Sequence, residues 1–228
     1  MTGWRLLTAA FLLVSCASGP PPLAPVGGPE TGRVRSDCAA FFPEGVTRFV
    51  HRIEARLSGR TTVMIGVTQV NAPHRSLHCV LMTVEGLVLF EGRQNGELSI
   101  LRSVAPFDNA AFAAGMMADV ALMFLPPDTA APTPGTTPQG EPLCRWQDGD
   151  THVTDLIHHA DGCRTLNRYR KGTLIRTLAA DSVTPPGRMT LTAHDGPGYA
   201  LTLTLISTES AADSPPAPAD AKATGDAS

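Results

Sequence analysis

The chain has 228 residues and a net charge of −3, from 18 basic and 21 acidic side chains. No basic patch marks it for nucleic acid, and an aromatic content of 5% argues against extended stacking surfaces. The length allows one domain or two small ones.

In chain order the first feature is an export signal. Arg5 provides a short positive region, and an apolar stretch over 6–14 follows. Nine residues suit a signal-peptide core and fall far short of the roughly 20 that a spanning helix needs. The stretch ends in Leu13, Val14 and Ser15 directly before Cys16. This resembles the lipobox of bacterial lipoproteins. The resemblance implies cleavage after residue 15 and acylation of Cys16. Ala17 follows where an Asp would mark inner-membrane retention, so the implied address is the outer membrane, with the chain facing the periplasm. Multiple acyl chains on one cysteine satisfy the requirement that stable anchoring takes more than one.

Residues 16–36 then read as the lipidated cysteine and a flexible Pro/Gly tether. Residues 37–208 form the expected single domain, and 209–228 lack large apolar residues and read as a disordered tail. Over 42–57 the apolar positions 42, 46, 49, 50, 53 and 57 fit the stripe of an amphipathic helix. Then the period changes to two. Segments 61–70, 76–84, 86–92 and 97–104 are short, aliphatic and separated by turn residues, including Asn95-Gly96. They read as a four-strand antiparallel meander.

The run AAFAAGMMADVALMFL (110–125) ends at Pro126-Pro127. As a helix capped by Asp108 or Asn109, it would be about 24 Å long, short of the roughly 30 Å hydrocarbon core. Asp119 would add about 2.5–3.5 kcal/mol to insertion. Length and charge therefore both argue against a membrane span. Asp119 is better suited to anchoring the helix to a sheet by hydrogen bonds. Met116, Met117 and Met123 are three of the seven methionines, set among Ala and Gly. A helix apolar all round is usually one buried on several sides as plain core; flexible thioethers and small residues, where a tight core favours Leu, Ile and Val, also allow an adaptable lid over a cavity. That cavity would lie beneath Phe112, Met116, Val120 and Met123. After a Pro/Thr-rich loop at 126–142, strands resume at 143–147, 151–158, 163–170, 173–180, 188–194 and 198–207. The total is about ten strands, and short connections make one curved antiparallel sheet the simplest topology.

This order of elements, with stretches such as the one from Gly86 through Leu89 and Phe90 to Gly92, then Leu98 to Leu101, resembles the LolA/LolB group of periplasmic lipoprotein carriers and receptors. The resemblance implies an α+β fold: an unclosed half-barrel with helices covering a concave apolar face where acyl chains bind. The implied lining is Val63, Ile65, Val67, Leu81, Leu87, Leu89, Leu98, Ile100, Phe112, Met116, Met117, Val120 and Met123. The implied partners are lipid or acyl chains, the outer membrane through the N-terminal anchor, and other lipoproteins.

Four cysteines remain: Cys38, Cys79, Cys144 and Cys163. An even number in an oxidising compartment favours disulfides. Of three connectivities, Cys38–Cys79 with Cys144–Cys163 is preferred, because each pair closes a loop within one half of the chain. No CxxC or HxxxH spacing supports zinc. His158-His159 is the only histidine cluster, and neighbours on a strand point to opposite faces. No catalytic motif is present, so neither an enzyme nor a cofactor is expected. Two functions remain: an acyl-chain binding lipoprotein, or a structural lipoprotein that docks a protein partner. A largely apolar void of several hundred Å³ between the helix at 110–125 and the sheet would favour the first.

Overall fold

A computed structural model describes residues 19–129 and 131–210. The signal segment, Cys16 and residues 211–228 lie outside the described residues. Two helices are present among these residues, α1 (Pro29–Ala39) and α2 (Ala110–Phe124). The strands are β1 (Ala24–Pro25), β2 (Val46–Leu57), β3 (Arg60–Asn71), β4 (Ser76–Met82), β5 (Val88–Asn95), β6 (Glu97–Ser103) and β7 (Thr133–Thr136). Beyond them come β8 (Pro142–Asp148), β9 (His152–His158), β10 (Arg164–Arg170), β11 (Thr173–Ala180), β12 (Arg188–Ala193) and β13 (Tyr199–Ser210). No helix is long and apolar enough to cross a membrane.

All thirteen strands belong to one unclosed antiparallel sheet, in the order β1-β7-β8-β9-β10-β11-β12-β13-β2-β3-β4-β5-β6. Two meanders, β2 to β6 and β7 to β13, meet where β13 pairs with β2. Register builds the core. Cys144, Leu156, Leu166, Leu178, Leu191 and Leu201 are successive cross-strand partners from β8 to β13, so one row of aliphatic side chains crosses six strands. Direct partners share a face. The row one step away runs Trp146, Thr154, Arg168, Arg176, Ala193 and Tyr199, and alternation places it on this same face.

Both helices are held by residues of this face. The Cys38–Cys144 disulfide fixes α1 to β8. Asp119 of α2 accepts from Arg176 Nε at 2.8 Å and from the Tyr199 hydroxyl. Asp119 is thus the expected anchor. The helix itself matches the sequence reading: Asn109 is the N-cap, and its side chain accepts from the Phe112 amide at 3.0 Å.

Four expectations are corrected. First, the stripe at 42–57 is not a helix; from Val46 it is strand β2. β2 is laddered along its length to β3 on one side and to β13 on the other. Its β-branched and aromatic residues fit a pleated surface. Second, the segment taken as a tether is structured from Ala24 onward. Ala24 and Pro25 pair with Thr136 and Gly135, and a Cβ on Gly135 would lie 2.6 Å from the Ala24 carbonyl, so only glycine admits this approach. Val34 and Cys38 of α1 are buried. Third, the short strands β1 and β7, both in Pro/Gly-rich sequence, and β2 itself bring the sheet to thirteen strands rather than about ten.

Fourth, the cysteines pair otherwise. Cys38 bonds to Cys144, while Cys79 is a buried free thiol and Cys163 a half-exposed one. Sequence proximity misleads here because α1 packs on the far meander. Cys79 lies on β4, directly opposite Thr68 and Gly92.

Candidate functional site

An apolar cavity of about 330 Å³ opens where the C-terminal end of α2 meets the sheet. Its walls come from distant parts of the chain. Ala40, Phe41 and Phe42 follow α1, which the disulfide holds against β8. Thr47, Phe49 and His51 project from β2, and alternation places all three on one face. Met123 and Phe124 close α2. Thr184, Pro185, Pro186 and Met189 come from the β11–β12 connection and β12, and Thr208 from β13.

Ring contacts shape the walls. Phe49 stacks on Phe124 with centroids 5.1 Å apart. Phe41 meets Phe42 edge-on at 5.0 Å, and Phe42 meets Trp146 edge-on at 6.2 Å. Of the two titratable groups in the lining, Glu44 is exposed and His51 is only 2% exposed. Its ring lies beside both Phe49 and Phe124. Burial pushes the imidazole pKa down to about 4, because desolvation disfavours the charged form. At neutral pH the cavity therefore holds a neutral ring and apolar side chains. Glu44 and Thr184 in the lining are exposed. A volume near the lower end of the roughly 300–1,000 Å³ range of ligand pockets can hold part of one acyl chain. Among the described residues no group of three His, Cys, Asp or Glu side chains is placed to hold a metal ion.

The residues expected to line a cavity divide three ways. Leu81, Met117, Val120 and Met123 are buried in one core, with Leu89, Leu98 and Met116 packed at its margin. Val63, Ile65 and Val67 lie on the opposite face of β3; the core-facing residues there are Met64, Gly66, Thr68 and Val70. Apolar residues occupy both faces of this strand, so the β-branched set does not mark the inward face. Alternation turns Gly66 inward, where a Cβ would lie 2.5 Å from Ile53 Cδ1, so the position favours glycine. Leu87, Ile100 and Phe112 are exposed, at 63%, 36% and 43%.

Of all these, Met123 alone lines the cavity. The space lies at the C-terminal end of the helix, not beneath Phe112 and Met116. Phe41, Phe42, Phe49, His51 and Phe124 were missed as a group. A signal was present: four of the chain's eight phenylalanines line this one cavity.

No protein-family profile matches the sequence, and no curated protein matches it either. The fold is nevertheless recognisable: the chain has a LolA-like fold. A LolA superfamily protein from Nitrosomonas europaea superposes with a TM-score of 0.50 at 10% identity, over 79% of this chain and 93% of that one. A domain from Vibrio parahaemolyticus, named for outer membrane lipoprotein sorting, reaches 0.46 at 11% identity, over 79% and 90%.

Proposed function

We propose that this protein is a lipid-anchored envelope protein whose half-barrel binds acyl chains, of free lipid or of a lipidated protein, in lipid or lipoprotein trafficking. In this reading the membrane attachment is an acylated Cys16, the address is the periplasmic face of the outer membrane, and the two helices cover the concave side of the sheet. The protein acts by binding and not as an enzyme. The observation that carries the reading is the apolar cavity of about 330 Å³ bounded by Phe49, Phe124 and Met123. A structural lipoprotein that only docks a partner has no need of such a void between helix and sheet, because close packing there would add stability. The LolA-like fold supports the same direction.

The test uses a form of the chain beginning at residue 17 and a fluorescent fatty acid. Ala40 is exposed yet lines the cavity, so Ala40→Trp fills the space from the rim without touching the core. Saturable binding by the native chain, weakened about tenfold or more by Ala40→Trp with an unchanged melting temperature, supports the reading. Absence of saturable binding by the native chain rejects it in favour of the partner-docking alternative.

A further inference from the structure

A second cavity of about 190 Å³ also lies at the C-terminal end of α2, and Trp146 in its lining meets Phe42 of the first cavity edge-on. Its apolar wall is Leu122 of the helix and Leu125, which caps it, with Trp146 of β8. Its floor is the cross-strand row already described, where Thr154 and Arg168 stand side by side.

Arg168 is out of balance with its surroundings. It is half-buried, and its direct partner across the ladder is Arg176, a like charge. Like charges directly opposite one another are destabilising. Arg176 is neutralised by Asp119 and by Asp195. Among the described residues, no hydrogen bond or ion pair reaches the guanidinium of Arg168. Desolvation holds its pKa below the usual arginine range, while Asp148 and Asp119 act in the other direction from a distance. The other acids nearby are occupied or in solvent. Asp128 pairs with Arg75 Nε at 3.3 Å and is 86% exposed, and Asp148 is exposed. Arg75 also donates to the Pro126 carbonyl at 2.9 Å, which fixes the outer wall. The β10–β11 register shifts directly after Arg168, the kind of irregularity that re-aims a side chain. Asp128 and Asp148 stand at the same cavity without bonding to Arg168, and a half-buried planar fork with five donors and no bonded acceptor is matched to a carboxylate or phosphate.

We propose that this second cavity is an anion-binding site, in which Arg168 receives a carboxylate or phosphate group and Leu122, Leu125 and Trp146 hold the apolar part of the same ligand. The site goes beyond the acyl-chain reading of the first cavity and does not depend on it. Calorimetry on the chain beginning at residue 17 tests it with hexyl phosphate, hexanol and inorganic phosphate. Hexyl phosphate is expected to bind, with its affinity reduced about tenfold or more in Arg168→Gln, the loss of a charge-assisted bond. Ala40→Trp is expected to leave that affinity unchanged.

Binding of inorganic phosphate with the same dependence on Arg168 supports the site and identifies a free anion as its ligand. Binding of hexyl phosphate alone supports an amphiphile. Because Arg168→Gln removes a repulsion, its melting temperature should equal or exceed that of the native chain. Thr154→Val, which keeps the charge, should weaken hexyl phosphate to a smaller extent. The proposal is overturned if neither anion binds, if hexanol binds as well as hexyl phosphate, if Arg168→Gln binds as the native chain does, or if that variant melts several degrees lower.

Discussion

Replacing Asp119 by Ala removes the link between α2 and the second meander. The Asp119 and Arg176 side chains are only 6% and 15% exposed, so solvent screens the pair little. Deleting one partner of a buried pair costs about 3–5 kcal/mol, mainly because the remaining charge is left uncompensated. Here Arg176 keeps Asp195 as a second partner, which moves the expectation toward the lower end. Tyr199 loses the acceptor of its hydroxyl, a cost of about 1–3 kcal/mol that overlaps with the first because one network is involved. The net expectation is about 3–4 kcal/mol, or a fall of about 6–16 °C in melting temperature for a domain of this size. Urea unfolding measures it directly, with an unchanged slope showing that the native and unfolded states are otherwise the same. Adding Tyr199→Phe should cost little more in the Asp119→Ala background than nothing at all, the non-additivity of a shared network. A loss below about 1 kcal/mol, in the range of an ordinary surface pair, would refute the assignment of Asp119 as the anchor.

Three further outcomes follow from the same structure. His51 is neutral in the fold, with its pKa lowered from 6.5 to about 4; the unfolded chain binds the proton first as pH falls, so stability is intact above about pH 6.5 and is lost between 6.5 and about 4, by about 3 kcal/mol in all. Urea midpoints across that range should fall steeply in the native chain, and His51→Phe, which preserves the ring stack, should flatten the decline; an equal decline in both would contradict the burial of a neutral ring. Cys38→Ala with Cys144→Ala should lower stability by about 2–4 kcal/mol in urea, since the disulfide closes a long loop of the unfolded chain; no change would mean that α1 is not fastened to β8. With residues 1–16 removed, a thiol reagent should titrate only Cys163 in the folded protein and both Cys79 and Cys163 after denaturation, because Cys79 is buried and its pKa is pushed up to about 12; rapid reaction of two thiols in the native protein would contradict the core position of β4.

The parts of the fold legible in the sequence were those set by local chemistry. The Asn109 cap, the run to Phe124 and the Pro126-Pro127 stop fix α2 within about one residue. Turn residues separated β3 to β6 and β8 to β13 correctly. Where two periods competed, the sequence did not decide. The apolar positions 46, 49, 50, 53 and 57 match a helix, and in β2 they divide between two faces instead, with Val50 opposite Val67 on the outer side and Phe49 and Ile53 inside. A buried His51 in the inward set disguised the alternation. Val63, Ile65 and Val67 failed for the related reason that both faces of β3 carry apolar residues, and the inward position 66 bears no side chain because Ile53 fills the space above it. The cavity was misplaced along α2 because its walls are set by long-range pairings. The register of β13 on β2 brings Thr208 beside Phe49. The disulfide holds α1, and with it the following Phe41 and Phe42, against the far meander. Helical composition reported that α2 was unusual, but not which end of it left space.

The central claim is that the chain holds an acyl chain in the cavity between α2 and β2. Native mass spectrometry of the form beginning at residue 17, mixed with a slight excess of palmitate, tests it most directly. The account predicts a complex with one fatty acid per chain in the native protein and its loss in Ala40→Trp. A spectrum containing only the unliganded chain, or palmitate bound equally by both proteins, would contradict it.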